Sequence, residues 1–155
     1  MSESKSKLED LLEEILNSFR ETSAKEISLI SKNDSNKIDI QRSPEMIYGL
    51  RNFIGNAIKF SKSKVNIFLA SDEKEIKITI NDDGPGFPKD IIEKLGEPYI
   101  KSRSIELNSN SGLGLGTFLG KTLLERQNAK LLFKDDKNLG GASVAITWSP
   151  KNILL

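Results

Sequence analysis

A chain of 155 residues with 37% hydrophobic residues, 29% charged residues and a net charge of +1 has the length of one soluble domain, with no charge excess to draw it to nucleic acid or anionic lipid. The absence of cysteine excludes disulfide scaffolds, zinc–thiolate sites and cysteine nucleophiles, and the absence of histidine removes the usual proton shuttle. No apolar run approaches the roughly 20 residues that span a bilayer, and the first residues lack a signal-peptide core.

Residues 7–20 place Leu8, Leu11, Leu12, Ile15, Leu16 and Phe19 on one face at helical spacing, which predicts a core-packing helix. Two short strands are expected near 26–31 and 37–41, separated by a polar turn at 32–36. Ser43 and Pro44 suit an N-cap and a first helical position, so a second helix is predicted from there to about Phe60. Apolar and polar residues alternate over 64–70 and 75–81, a hairpin that turns at Asp72-Glu73-Lys74. A Gly/Pro turn follows at 82–88, then a short helix near 89–94. The loop over 96–111 is rich in Ser, Asn and Gly, and loops of that length tend to be functional lids. A helix over about 114–127 and a last hairpin, 130–134 with 142–148, turning through 137–141, complete the chain. The pattern is α+β: one mixed or antiparallel sheet with helices on one face, and no internal repeat. Residues 1–7 read as a flexible N-terminus, 8–150 as the domain and 151–155 as a tail.

Four places depart from good packing sense. On the second helix, Ile47, Leu50, Ile54, Ala57 and Ile58 form a core stripe, and Asn52, Asn56 and Lys59 form a stripe on the opposite side. That second stripe is either a solvated face or a site, because a carboxamide oxygen can ligate a hard cation and a lysine one turn on can meet phosphate. Asp82 has the strand parity of Ile76, Ile78 and Ile80, so it either points inward to the floor of a pocket or caps the turn where the strand ends. The turn Asp83-Gly84-Pro85-Gly86-Phe87 permits a close backbone approach to a flat ligand. Gly112-Leu113-Gly114-Leu115-Gly116, ahead of a helix, suits backbone N–H groups facing phosphate; it is neither a dinucleotide fingerprint nor a Walker loop.

Taken together and in this order, these features resemble the nucleotide-binding fold shared by gyrase, heat-shock chaperones, histidine kinases and mismatch-repair ATPases. Asn52 to Phe60 resembles the N box of histidine kinases, Asp82-Asp83-Gly84-Pro85-Gly86 the first glycine box, and Glu97-Pro98-Tyr99 the aromatic F box. Gly112 to Gly116 resembles the second glycine box, and Gly140-Gly141-Ala142-Ser143 a last, weaker one. Leu95-Gly96-Glu97-Pro98-Tyr99, the run from Gly114 through Arg126, and Gly140 to Trp148 are similar to the RegB/PrrB group of redox-responsive sensor kinases. That group senses through a cysteine near its phosphoacceptor histidine, and this chain has none, so redox sensing is not assigned to it.

The resemblance implies a two-layer α/β sandwich of the Bergerat type, with one mixed sheet, helices on one face and a mobile ATP lid. It implies the ATP-binding catalytic domain of a two-component sensor histidine kinase. Such a domain binds Mg-ATP and passes the γ-phosphate to a histidine on a dimerisation domain that this chain lacks, ahead of a response regulator. The implied setting is the cytoplasmic part of an inner-membrane bacterial kinase, with no direct membrane or nucleic-acid contact of its own. Residue by residue, Asp82 accepts from the adenine amino group, and Gly84, Gly86 and Phe87 close on the base. Asn56 ligates magnesium with Asn52 beside it, Lys59 meets phosphate, and Phe60 flanks the nucleotide. Tyr99 anchors the lid, while Lys101 or Arg103 reaches the terminal phosphate. The segment Gly112, Leu113, Gly114, Leu115 and Gly116 offers N–H groups to the phosphates, and Ser143 lies near the base. Hydrolytic relatives carry a glutamate four residues before the metal-binding asparagine, to activate water; here that position is Asn52. The alternatives are an ATPase of the gyrase kind and a degenerate module that serves only protein–protein contact.

Overall fold

The structure, a computed structural model, describes residues 5–32, 38–87, 115–135 and 139–150. Among these residues the elements run β1 (Lys5–Lys7), α1 (Leu8–Arg20), β2 (Glu26–Ser31), β3 (Asp39–Gln41), α2 (Pro44–Phe60), β4 (Lys64–Ser71), β5 (Ile76–Asp82), α3 (Leu115–Arg126), β6 (Lys130–Asp135) and β7 (Ala142–Trp148). Five strands form one sheet in the order β2-β4-β5-β7-β6. β2 runs parallel to β4 and every other neighbouring pair is antiparallel, so the sheet is mixed. The chain start departs from expectation: Lys5–Lys7, read as part of a flexible N-terminus, pairs antiparallel with β3. Three residues are too few to show a strand period, and only their partner reveals them.

The sheet has one apolar face because its sequence alternates. Val65, Ile67 and Leu69 of β4 lie opposite Asp82, Ile80 and Ile78 of β5; Ile76, Ile78 and Ile80 in turn meet Trp148, Ile146 and Val144 of β7. All of these are buried. α1 and α2 cover that face, with Leu8, Leu11, Leu12, Ile15 and Leu16 buried from α1. Each such aliphatic side chain contributes about 1.5–3 kcal/mol of transfer free energy.

α2 buries more than its predicted stripe. Met46, Gly49, Leu50, Phe53, Ile54, Ala57 and Ile58 are buried, whereas Ile47 is only partly so. The reason is a second neighbour, because α3 packs along α2 where the two helices meet through small residues. A Cβ on Gly49 would strike the Leu124 side chain, and one on Gly120 would press on the Asn52 side chain.

The ends of α2 are held by polar side chains. Ser43 Oγ accepts from the Met46 N–H at 3.1 Å, with Pro44 at the first turn, as its chemistry predicts. At the other end Lys25 Nζ donates to the carbonyls of Ile58 (2.5 Å) and Ser61 (2.8 Å), placing a cation where the helix dipole favours one. Asn128 at φ 69° closes α3. Among the described residues, no helix is long and apolar enough to cross a membrane.

Candidate functional site

A cavity of about 240 Å³ opens between α2, the ends of β5 and β7, and the first turn of α3. α2 supplies Phe53, Asn56, Ala57 and Phe60, which stand at i, i+3, i+4 and i+7 and so share one helix face. The sheet supplies Ile80, Asp82, Ala142 and Val144, the turn supplies Pro85, Gly86 and Phe87, and α3 supplies Thr117. Among the described residues, the polar side chains that line this apolar space are Asp82, Asn56 and Thr117. The proportion suits a flat, partly apolar ligand oriented by a few polar groups.

Asp82 is 4% exposed, and β5 runs on through it, so its inward parity holds. It also caps the turn: Oδ1 accepts from the backbone N–H of Gly84 (2.8 Å) and of Ala142 (3.2 Å). Both readings of this residue are therefore true at once. Two glycines make room for the carboxylate. A Cβ at Gly84 would run into the Phe60 carbonyl oxygen, and one at Gly141 would run into the Asp82 carbonyl and carboxylate oxygens. Gly86 has φ +85°, a left-handed conformation that favours glycine.

Asp83 has a different task. It accepts from the backbone N–H groups of Lys62 (2.8 Å), Ser63 (3.1 Å) and Lys64 (3.2 Å) and from the Ser63 hydroxyl (3.0 Å), pinning the turn to the loop that leaves α2. Burial pushes its carboxyl up, but the hydrogen bonds from Ser63, Lys64 and Lys62 outweigh it and bring the pKa to about 2.

Other predicted residues spread out. Asn56 lies on the pocket face, not opposite the core stripe, and its Nδ2 donates to Thr117 Oγ1 at 2.9 Å. Asn52 is wedged in the α2–α3 seam beside Gly120, and among the described residues its Oδ1 accepts a long 3.4 Å contact from Asn56. Lys59 is exposed, its ammonium 5.3 Å from the centre of the Phe60 ring, and it does not line the cavity. Gly84 supports the pocket from behind. Ser143 corrects the reading: it pairs with Asn81, one residue out of phase with Val144, so its side chain lies on the face of the sheet away from the cavity. Its neighbour Ala142 lines the cavity instead.

Leu115 and Gly116 stand at the start of α3. Tyr99, Lys101, Arg103, Gly112, Leu113 and Gly114, the short helix near 89–94 and the lid lie outside the described residues. Missed at first were Thr117, Phe53 and Phe133, whose ring packs tilted on Phe53 (5.7 Å) and edge-to-face on Phe87 (5.8 Å). The Phe53–Phe60 stripe was visible in helical spacing; Phe133 was not, because its partners come from distant elements. Among the described residues, no cluster of three His, Cys, Asp or Glu side chains could hold a metal.

Residues 41–152 match the family described as "Histidine kinase-, DNA gyrase B-, and HSP90-like ATPase". The chain belongs to this family and, within it, to the ATP-binding catalytic domains of sensor histidine kinases. Over 99 residues it is 44% identical to the sensor histidine kinase RegB of Cereibacter sphaeroides, covering 61% of this chain and 21% of that protein. Over 141 residues it is 30% identical to the histidine protein kinase SaeS of Staphylococcus aureus, covering 86% and 40%. The chain thus spans between a fifth and two fifths of these relatives. The catalytic domain of the histidine kinase ThkA superposes with a TM-score of 0.73 at 18% identity, covering 96% of this chain and 97% of that one, which establishes the fold.

Proposed function

We propose that this domain binds Mg-ATP with the adenine in the cavity and delivers the γ-phosphate to a histidine on a separate dimerisation domain of a bacterial sensor kinase. The observation that carries this reading is the buried Asp82, held by two backbone N–H groups at the floor of a largely apolar pocket. A carboxylate held this way accepts a hydrogen bond from an exocyclic amino group without reorganising. Phe60 and Phe87 supply apolar contact beside the base, and the Gly84–Gly86 turn lets the backbone approach it.

Asn56 lines the pocket, and its amide nitrogen donates to Thr117 Oγ1, which leaves its carbonyl oxygen as the atom that would meet a cation. That oxygen is a hard donor of the kind that would hold magnesium beside the phosphates. Asn56 would hold the ion there, and the ion would supply charge neutralisation at the phosphates for in-line transfer. Lys59 reaches phosphate only by swinging off the Phe60 ring. By the motif resemblance alone, Tyr99, Lys101 and the Gly112–Gly116 segment would serve the phosphates. A response regulator receives the phosphoryl group next, and the domain works on the cytoplasmic side of the inner membrane.

Asn52 favours a kinase over a hydrolase, since no carboxylate stands at that position to activate water. Incubated alone with γ-labelled ATP, the chain should neither label itself nor turn ATP over rapidly. Adding a histidine-bearing dimerisation domain in trans should give acid-labile label on that partner. Rapid hydrolysis by the chain alone would place it with the ATPases, and acid-stable label on its own serines would place it with serine kinases. Asn56→Ala should abolish the magnesium dependence of ATP binding in calorimetry, whereas Asn52→Ala should change it less. Magnesium that still tightens ATP on the Asn56 variant contradicts the ligand assignment.

A further inference from the structure

The sheet has a second face, turned away from the helices. In-register pairing lines up Ile30, Phe68, Thr79, Ala145 and Leu132 as one transverse row across all five strands. The row ends at Leu132 on β6, which is 59% exposed. β6 is the last strand in the order, so among the described residues its outer main-chain groups have no strand partner. Lys130 and Lys134 are exposed and have the parity of Leu132, so the three present lysine, leucine and lysine on one face at the sheet margin. Among the described residues the ion pairs involve Lys7, Arg20, Arg42, Lys64 and Lys121 but neither of these two lysines.

We propose that the open edge of β6 docks an extended acidic segment of a partner protein, which adds a sixth strand to the sheet. Its carboxylates would face Lys130 and Lys134, and an apolar side chain between them would lie beside Leu132, extending the row. Lysines at an edge normally repel other strands. Here they select. A second copy pairing antiparallel about Leu132 would set Lys130 against Lys134, and directly opposed like charges are unfavourable. An acidic strand reverses that sign at both positions. The unpaired main-chain ladder gives a peptide hydrogen bonds that a lipid headgroup cannot continue. The opposite face of the same strand carries Phe133, in contact with Phe53 and Phe87, which line the pocket.

The test uses the ¹⁵N-labelled chain and an acetylated, amidated peptide of threonine, glutamate, threonine, leucine, threonine, glutamate and threonine in that order. Amide shifts confined to Lys130–Asp135 and β7 are expected. The double variant Lys130→Glu, Lys134→Glu should weaken this peptide by about tenfold or more and instead bind the counterpart with lysines for glutamates. Leu132→Asn should weaken the glutamate peptide without touching ATP affinity. The proposal is overturned if the peptide shifts nothing, or if the lysine peptide acts equally on the unaltered chain. It also fails if phosphatidylglycerol vesicles move the β6 amides while the peptide does not, or if those amides shift with protein concentration alone.

Discussion

The two ends of the central strands are built on opposite principles. At the end where β5 begins, Ile76 lies opposite Trp148, both about 1% exposed and both packed in the main hydrophobic cluster. At the end where β5 finishes, Asp82 is framed by Gly84 and Gly141 and, among the described residues, lines the cavity. The first end gains stability from volume. The second depends on atoms being absent, since main-chain oxygens occupy the positions where Cβ atoms would sit. Stability and binding are therefore separable along a single strand.

The largest expected effect breaks the filled end. Trp148→Ala should cost about 3–5 kcal/mol in chemical denaturation, as large-to-small changes in a core do. ATP affinity of the fraction still folded at low temperature should stay near that of the unaltered chain. Gly141→Ala probes the open end by adding atoms. Overpacking should cost about 1–3 kcal/mol of stability, yet ATP affinity should fall far more than in Trp148→Ala, because Asp82 itself must shift. Equal loss of binding in both variants would erase the distinction.

Asp83 sharpens the comparison at smaller scale. Its folded pKa of about 2 lies below the ordinary 3.8, so its contribution is present above about pH 3.8 and is lost as pH falls toward 2. Asp83→Asn should lower stability at neutral pH by ~1 kcal/mol, discounted for solvent screening. The gap between the two proteins should close as pH drops from about 4 to 2. A gap independent of pH would mean that the hydrogen bonds to Lys62, Ser63 and Lys64 do not depend on the carboxylate charge.

How legible each part was follows from the kind of contact that makes it. The alternation over β4 and β5 and the period-3.6 stripe of α1 are local, and the structure places them where spacing did. Asp82 was legible for the same reason, since parity carries through a strand whatever the residue. Ser143 could have been handled likewise: counting from Val144, Ile146 and Trp148 puts it on the far face, but motif order gave proximity without side. The α2–α3 seam was illegible, because Gly49 and Gly120 acquire meaning only from Leu124 and Asn52 across the interface. β1 and Phe133 were missed on the same grounds. Tyr99, Lys101 and Gly112 to Gly114 lie outside the described residues, and their proposed roles come from motif order.

The most direct measurement is calorimetric titration of ATP and of GTP into the unaltered chain and into Asp82→Asn. Asparagine keeps an oxygen for the Gly84 and Ala142 N–H groups, so the fold should persist, with an unchanged denaturation midpoint apart from charge. It replaces the other carboxylate oxygen with a donor, which opposes the adenine amino group. The expected result is at least a tenfold loss of ATP affinity, about 1.4 kcal/mol, with a smaller change for GTP, which carries a carbonyl where ATP carries that amino group. Equal ATP affinity in the two proteins would contradict the assignment of Asp82 as the group that reads the base.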